Sequence, residues 1–389
     1  MMNIIIFEDK FTSDLKPFTY NHASFEVKTG MYSNLDRFVS IFNKCKIHLI
    51  VREEIEEIIS EKYSFLQVNP KKVPEGYCIN GKVIWEKEYN KLLNEKLVND
   101  NFLFYNNKDK ISRDEFYLND IFSGKQKNKN DLQNIQYLWD AIDIFGDKIN
   151  EDFNLLKSII KNKFNSSSHF INESKIVIDK TAKIRPGCIL DATKGPIIID
   201  ENVLVDIGSK IQGPVYIDKN SYVSPGAKIR SNNIIGEGSK IGGEISNTIF
   251  HANSNKVHDG FLGHSYICEW VNIGAGTNNS NLKNNYSSIK FNFKNKKVDT
   301  KKIFLGSMIG DFVRIGISSM LNTGTYIGIG ANVFGTGFQS KFIAPFSWGE
   351  KDIVDFDKFI DTCTRMKKRR GKKISKTEKK LLENLYSSI

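Results

Sequence analysis

The segment "HDGFLGHSYICEWVNIGAGTNNSNLKNN", residues 258–285, combines residue types that can do chemistry. Two histidines, His258 and His264, precede a Gly-Ala-Gly turn and a run of asparagines. A histidine can accept a proton near neutral pH, and asparagine side chains both donate and accept hydrogen bonds. Small residues let the backbone approach a ligand closely. A segment that served packing alone would not have this composition, so we treat it as a candidate site.

The scaffold around this segment has a period of six residues. Starting at Ile199, an aliphatic residue recurs every sixth position through Ile241, and a second run extends from Ile303 to Val333. Neither a helix nor an ordinary strand brings every sixth residue to one face. A left-handed parallel β-helix does, because each flat face of its triangular coil takes one hexapeptide and its aliphatic residue points inward. The period therefore predicts such a β-helix over residues 170–345.

A polar segment separates the two runs. The sequence "TNNSNLKNNYSSIKFNFKNKKVDTKK" departs from the register before Ile303 resumes it. Loops on rigid scaffolds often carry function, so this segment is expected to form part of a site. His264 is expected on the neighbouring face of the coil that holds His258, in a structural role. Two other interpretations stay open: His258 would only bond its own loop, and the asparagines would form a ladder of turns.

The first 160 residues have a different pattern. Short apolar runs such as "NIIIF" and "KIHLIV" alternate with helical stretches such as "NLDRFVSIF" and "REEIEEIISEKY". Such alternation predicts an α/β domain with a mainly parallel sheet over residues 1–160. The polar, serine-rich "NSSSHFINES" marks the boundary with the β-helix.

Composition excludes several classes of protein. The chain has 389 residues, 40% of them apolar, and no apolar run approaches the roughly twenty residues that span a bilayer. The start, "MMNIIIFEDKF", becomes acidic too soon for a signal peptide, and the five cysteines are scattered without a CxxC or a His/Cys cluster at metal spacing. A cytoplasmic protein with reduced thiols is expected.

Positive charge is concentrated at the carboxyl end. Residues 351–389 hold twelve Lys and Arg against six Asp and Glu, so +6 of the net charge of +11 lies there. The stretch "RMKKRRGKKISKTEKK" lacks the interleaved aromatic residues of a nucleic-acid module. We therefore predict a short basic helical segment over residues 350–389, with nucleic acid not expected as a partner.

Several motifs resemble one enzyme family. "KVHDGFLG", "EWVNIGAGTNNSNLKNNY", "SSMLNTGTYIG" and "FIAPFSWG" are similar to segments of the sugar nucleotidyltransferase/hexapeptide acyltransferase family, which is related to the bifunctional N-acetylglucosamine-1-phosphate uridylyltransferase/glucosamine-1-phosphate N-acetyltransferase. A looser likeness covers "FEDKFTSDLKPFTYNHASFEVKTGM" and "CINGKVI". The resemblance implies a nucleotidyltransferase-like α/β domain before the β-helix, and trimers assembled along the β-helix.

The resemblance also assigns acyltransferase residues. The family's catalytic histidine falls on His258, and its acidic partner falls on Glu244. The remaining sugar-phosphate and acyl-binding positions fall on Arg230, Asn272, Ala275, Asn281 and Lys341. At Phe261, Ser246 and Ile317 the chain departs from the family's tyrosine, lysine and serine, so the acceptor sugar stays open.

The amino-terminal domain offers fewer chemical residues. The family's glycine-rich phosphate loop is missing, and "LKPFTYNHASFEVKTG" stands in its place. Lys16, Lys28, Gly30 and Asn80 are candidates for nucleotide binding. Asp9 and Asp140 are candidates for a Mg²⁺ site. Solvated loop residues are the alternative at each position.

These observations favour a cytoplasmic, trimeric enzyme of sugar-nucleotide biosynthesis that feeds cell-envelope polysaccharides. It would transfer an acetyl or other acyl group from acyl-CoA (acetyl-CoA) to an amino-sugar phosphate. It would also join a sugar-1-phosphate to a nucleoside triphosphate with Mg²⁺. Two alternatives remain: a nucleotidyltransferase whose β-helix only forms the trimer, or a regulator that binds sugar nucleotide without turnover.

Overall fold

The chain forms an α/β sheet, a parallel β-helix and two terminal helices. The computed structural model describes residues 2–87, 89–90, 104–107, 111–112, 132–156 and 166–389. In this part of the chain the α-helices are α1 (Asn34–Ile41), α2 (Glu56–Lys62), α3 (Leu138–Leu156), α4 (Phe356–Lys368) and α5 (Lys376–Ser387). None of the described helices combines the length and apolar character that a bilayer crossing requires.

The amino-terminal sheet is mainly parallel, as the sequence predicts. The strands of the sheet are β1 (Asn3–Phe7), β2 (Lys46–Ile50), β3 (Gln67–Val68), β5 (Gly76–Asn80) and β6 (Phe104–Asn107). Two further strands, β4 (Lys72–Val73) and β7 (Ile111–Ser112), pair only with each other. The order of the main sheet is β3-β2-β1-β5-β6, with only the last pair antiparallel. Residues 4–7 of β1 are buried, which is typical of a parallel strand covered on both faces.

The second half winds into a parallel β-helix with three faces. Face A consists of His169–Ile171, Ile189–Asp191, Lys210–Gln212, Lys228–Ile229, Asn278–Asn279 and Met320–Leu321. Face B consists of Ile176–Ile178, Ile197–Ile199, Val215–Ile217, Asn233–Ile235, Ser307–Ile309, Thr325–Ile327 and Phe342–Ile343. Two longer strands, Glu244–Phe250 and Phe261–Ile267, begin on face A and end on face B.

Face C closes the coil. Its strands are Lys183–Ile184, Leu204–Val205, Tyr222–Val223, Lys240–Ile241, Asn255–Lys256, Asn272–Ile273, Arg314–Ile315, Asn332–Val333, Ser347–Trp348 and the antiparallel Asp352–Ile353. Register advances by eighteen residues in most coils, as between Val205 and Val223. The hexapeptide prediction of a parallel β-helix is confirmed.

The six-residue register forms the core of the coil. All eight aliphatic positions from Ile199 to Ile241 are buried in one hydrophobic cluster, and so are Ile309, Ile315, Leu321, Ile327 and Val333. Ile303 differs, since its side chain is 49% exposed. The chain returns from the polar segment at that point and rejoins face B only at Ser307. The register therefore resumes one repeat later than the sequence pattern suggests.

The outer side of face B is apolar and is covered by the amino-terminal half. Ile198, Tyr216, Ile234 and Tyr266 pack in one cluster with residues of α3 and with Phe18. The polar segment also contributes: it contains a hairpin of Lys290–Asn292 and Lys297–Asp299 whose Phe291 lies 5.1 Å from the ring of Trp139. The segment thus joins the two halves of the chain by packing.

The carboxyl end is helical, as predicted, but part of it is buried. Lys367 of α4 pairs with Glu378 of α5, and each side chain is only 9% exposed. Phe359 and Leu382 belong to a cluster at the last coils, while Leu381 reaches the core of the amino-terminal domain. The terminal helices therefore bridge both halves rather than forming a solvated tail.

Candidate functional site

An arginine and a glutamate lie along face A, and a histidine lies in a turn that leads into it. Glu244 begins its strand opposite Lys228 and Phe261, and its carboxylate accepts a hydrogen bond of 2.9 Å from Arg230. His258 lies in the turn between faces C and A, where its carbonyl oxygen is next to Gly243. Its side chain is exposed and has no hydrogen-bond partner among the described residues. The carboxylate of Glu244 therefore bonds Arg230, and no hydrogen bond joins it to His258.

Asn281 lies after the Asn278–Asn279 strand of face A. Its amide nitrogen is 2.8 Å from Nδ1 of His264. Since the amide donates, Nδ1 of His264 accepts, and the ring carries its proton on Nε2 when neutral. Burial lowers the pKa of His264 to about 4, which keeps the ring neutral near pH 7. His264 thus orients Asn281 through this hydrogen bond.

A polar cavity of about 330 Å³ lies beside His264. Asp143 and Asp147 of helix α3 line it, together with Lys194. Asn232 and Asn247 also line it, and a hydrogen bond of 3.0 Å joins their side chains. Both have positive φ, as has His264, so this corner of the coil is a ladder of left-handed turns.

The other predicted acyltransferase residues are spread over the coil. Asn272 is on face C, in register with Asn255 and Arg314, away from Arg230 and Glu244. The carbonyl of Ala275 accepts a hydrogen bond from Ser318, while its own N–H has no acceptor among the described residues.

Lys341 lies directly before face B. It donates to the hydroxyl of Thr323 at 3.1 Å. Burial and the neighbouring Lys283 lower the pKa of Lys341, because both disfavour the charged ammonium. The ammonium of Lys341 thus lies near other cations, and a bound anion would offset the repulsion between them.

The amino-terminal carboxylates are engaged within the domain. Asp9 accepts hydrogen bonds from Asn80, at 2.7 Å, and from the backbone N–H of Phe11. It also pairs with Lys82 at 2.7 Å. In the described part of the chain both oxygens of Asp9 thus have partners, and Asn80 is held by the same contact.

Asp140 has a local role at the start of α3. One carboxylate oxygen accepts the backbone N–H groups of Gln136 and Tyr137, at 2.9 and 2.8 Å. A carboxylate on the third helical residue that accepts the backbone N–H of the residue before the helix stabilises the start of a helix. Burial raises the pKa of Asp140. As arranged here, Asp9 and Asp140 do not form a pair of free carboxylates that fits Mg²⁺.

The candidate phosphate ligands are also largely occupied. Lys28 pairs with Asp218 of face B at 2.9 Å. Gly30 has φ of +145° and lies against the ion pair of Arg37 and Asp152. Lys16 is 4.8 Å from the ring of Tyr20, and burial lowers its pKa. Of these two lysines, Lys16 has no carboxylate partner in the described chain.

Sequence reasoning missed a buried polar cluster between the two halves. His22 stacks on Phe18, with ring centroids 4.4 Å apart, and its Nε2 is 3.0 Å from Asp311. Although burial alone lowers the pKa of His22, the Asp311 carboxylate raises it to about 10. Nδ1 of His251 is 3.0 Å from Glu269. His22 and Asp311 are 289 positions apart, so no spacing in the sequence reveals this cluster.

Comparison with known proteins agrees with this architecture. Residues 4–160 match the family described as "Sugar nucleotidyl transferase". The bifunctional sugar-1-phosphate nucleotidylyltransferase/acetyltransferase of Sulfurisphaera tokodaii is 38% identical over 143 residues, which cover 36% of this chain and 36% of that protein. The bifunctional protein GlmU of Wigglesworthia glossinidia brevipalpis is 27% identical over 355 residues, 82% of this chain and 68% of that protein. Residues 4–160 are thus similar to sugar nucleotidyl transferases, and most of the chain is similar to a bifunctional GlmU protein.

These matches cover only parts of the relatives. The chain spans about a third of the length of the Sulfurisphaera relative and about two thirds of the Wigglesworthia one. Among solved structures, the polySia-specific acetyltransferase NeuO matches 49% of this chain and 82% of its own, at 14% identity and a TM-score of 0.22. That overlap is too low to bear on function.

Proposed function

We propose that the chain is a bifunctional transferase whose acyltransferase site lies on face A. One observation carries this proposal: an exposed, unbonded His258 occurs in the turn that leads into face A, the face that bears the Arg230–Glu244 ion pair. An inert coil has no need of this combination. A free imidazole can act as a base, and the guanidinium is suited to hold a phosphate.

The proposed reaction moves an acyl group from a thioester to an amine. His258 takes a proton from the amine of the amino-sugar phosphate as its nitrogen attacks the thioester carbonyl. The C–N bond forms, the C–S bond breaks, and the imidazolium returns the proton to the leaving thiolate. The unbonded N–H of Ala275 would stabilise the developing oxyanion, a role that backbone amides fill in acyl transfer. Acetyl-CoA is the proposed acyl donor.

Sugar recognition would involve residues on both sides of His258. Arg230 is 58% exposed even though it pairs with Glu244, so it can exchange part of that contact for a phosphate. Asn281 is oriented by His264 and presents an amide near the same face. Asn272, on face C, would contact the sugar only where a neighbouring subunit brings another surface to it.

The second proposed activity joins a sugar-1-phosphate to a nucleoside triphosphate in the amino-terminal domain. The match over residues 4–160 supports it, and Lys16 is the candidate cation without a carboxylate partner in the described chain. This reaction is expected to require Mg²⁺, which neutralises the phosphates of the triphosphate. We assign no ligand to the ion, because Asp9 and Asp140 are engaged elsewhere.

One observation favours a second candidate function for this domain. Three of its cations are paired with carboxylates: Arg52 with Glu8 at 2.8 Å, Lys82 with Asp9, and Lys28 with Asp218. Cations paired in this way offer less charge to a transferring phosphate, which favours a domain without turnover. The protein would then be an acyltransferase with a regulatory amino-terminal domain.

We also propose a homotrimer. Face B is covered by the chain's own residues, whereas Ile317, Met320 and Phe338 beside face A are 76%, 39% and 63% exposed. An exposed apolar patch of this kind is suited to contact a second copy in a closed, cyclic assembly. Light scattering at micromolar concentration should give three times the chain mass, and a monomeric mass would contradict the proposal.

A substrate panel tests the two activities separately. Purified protein is incubated with amino-sugar phosphates and acyl-CoAs, or with sugar-1-phosphates, nucleoside triphosphates and Mg²⁺, and products are read by mass spectrometry. Acylated sugar without pyrophosphate release supports the regulatory form. Pyrophosphate release that EDTA abolishes supports the bifunctional form. The absence of acyl transfer across the panel would contradict the role of face A.

A further inference from the structure

A buried cluster of two histidines and three carboxylates joins the amino-terminal domain to the β-helix. His22 and Glu26 come from the segment before α1, while His251, Glu269 and Asp311 come from successive coils. Apart from Glu269, whose side chain is 21% exposed, these residues are at most 6% exposed. The proposed reactions use none of them.

The hydrogen bonds of His251 leave one ring nitrogen facing a carboxylate. Its Nε2 is 3.1 Å from the carbonyl oxygen of Glu26, which can only accept, so Nε2 carries the proton. In a neutral imidazole Nδ1 then has a lone pair. This nitrogen is 3.0 Å from Oε1 of Glu269, which also offers only lone pairs. A cation, either a proton or a metal ion, must lie between them.

One ring nitrogen of His22 lacks a hydrogen-bond partner in the described chain. Its Nε2 is 3.2 and 3.0 Å from the two carboxylate oxygens of Asp311, so that nitrogen carries the proton. Its Nδ1 is buried and has no hydrogen-bond partner among the described residues; the nearest carboxylate oxygen recorded, on Glu26, is 3.8 Å away. Buried polar atoms without a partner are rare in folded proteins, and an ion is one explanation.

The cluster has an excess of negative charge. Glu26, Glu269 and Asp311 supply three carboxylates, and Lys62 pairs with Glu26. Two negative charges therefore remain in the cluster. Two imidazolium ions would neutralise them, but the ring centroids of His22 and His251 are only 5.0 Å apart and the charges would repel. One divalent cation bound between the two rings would neutralise the same charges without that repulsion.

We propose that His22, His251 and Glu269 bind one divalent transition-metal ion of the zinc type, which ties the amino-terminal domain to the β-helix. One ligand atom from each residue lies within 4.8 Å of the other two. Around a tetrahedral zinc ion with bonds of about 2.1 Å, ligand atoms lie roughly 3.4 Å apart, so a small inward movement would supply three of the four ligands and leave the fourth position to water. Asp311 holds the proton of His22, as carboxylates do behind metal-bound histidines.

Metal analysis of the full-length protein tests this site. Protein is stripped with a chelator, equilibrated with excess Zn²⁺ or Co²⁺, dialysed, and analysed for metal per chain and for the visible spectrum of the cobalt form. We expect one ion per chain, a cobalt band typical of tetrahedral coordination, and a higher melting temperature with Zn²⁺. His169 is exposed at the start of the β-helix, so His169→Asn is the matched control and should keep the ion.

Two variants locate the ligands. His251→Asn and Glu269→Gln should each weaken Zn²⁺ binding at least 10-fold, the effect typical of even an outer-shell change. Glu269→Gln carries the test if His251→Asn fails to fold, because Glu269 is partly exposed and Gln keeps its shape. No stoichiometric ion in the wild type, or equal binding by wild type and a folded Glu269→Gln variant, would overturn the proposal. Neither result depends on acyl or nucleotidyl transfer.

Discussion

The ion pair of Lys28 and Asp218 gives a prediction that separates a structural role of Lys28 from nucleotide binding. Lys28 belongs to the amino-terminal domain and Asp218 to face B, and both side chains are 13% exposed. Replacing Lys28 by Met keeps the length of the side chain but leaves the Asp218 carboxylate without its cation. Asp218 retains hydrogen bonds from Tyr216, at 3.0 Å, and from the backbone N–H of Lys219, at 2.9 Å.

The magnitude follows from this partial compensation. Breaking a fully buried ion pair costs about 3–5 kcal/mol. Because Asp218 keeps two hydrogen bonds and some contact with water, we expect Lys28→Met to lower the free energy of unfolding by about 2–3 kcal/mol. In the double variant Lys28→Met/Asp218→Asn the unpaired charge is gone, so the combined loss should be smaller than the sum of the two single losses by about 1–2 kcal/mol.

The assay is urea unfolding at one fixed protein concentration, followed by circular dichroism. Lys219→Met is the matched control: Lys219 lies 3.8 Å from Glu237, with side chains 48% and 38% exposed. Such a surface pair contributes little, so that variant should lose less than about 0.5 kcal/mol. A loss for Lys28→Met no larger than that of Lys219→Met, together with a large drop in nucleotide binding, would refute the structural role.

Three further outcomes follow from the same structure. Ile241→Ala, in the core of the coil, should lower the free energy of unfolding by about 2–5 kcal/mol, whereas Ile353→Ala, at 57% exposure, should change it by less than about 0.5 kcal/mol. The pKa of His264 is about 4 in the folded protein and about 6.5 in the unfolded chain. Stability should therefore fall as the pH drops from 6.5 to 4, by up to about 1.4 kcal/mol per pH unit. His264→Gln should flatten that part of a profile of urea midpoint against pH. Asp140→Ala should cost about 1 kcal/mol by removing a helix-start bond, and it should leave the Mg²⁺ dependence of any pyrophosphate release unchanged.

The sequence predicts the β-helix well because each hexapeptide is a local unit. The inward position of Val205 or Ile241 is fixed by its neighbours within one coil, so spacing alone identifies it. The same holds for β1, whose continuous apolar run is buried on both sides. Ile303 is exposed although it fits the six-residue register, because the coil is interrupted just before it. The domain limits at 160, 170, 345 and 350 stay predictions.

Residue spacing in the sequence does not predict contacts between distant segments. His22 and His251 meet only because the amino-terminal domain docks on the coil, and no pattern records that docking. The hydrogen-bond partner of a side chain within the coil is also ambiguous. The resemblance assigns Glu244 as the acidic partner of His258, whereas in the structure its carboxylate bonds Arg230. Both partners are compatible with the sequence, and side-chain orientation decides between them. The catalytic assignment of His258 and Glu244 stays a prediction.

The most direct test of the central claim is the rate of acyl transfer by His258→Ala. The assay measures acetyl transfer from acetyl-CoA to amino-sugar 1-phosphates, with His169→Ala as control. His258 is exposed, so the variant should keep the circular dichroism spectrum and the oligomeric mass of the wild type. If His258 is the general base, the rate should fall about 10²- to 10⁴-fold while His169→Ala stays near the wild-type rate. A folded His258→Ala variant that transfers acetyl groups as fast as His169→Ala would contradict the account.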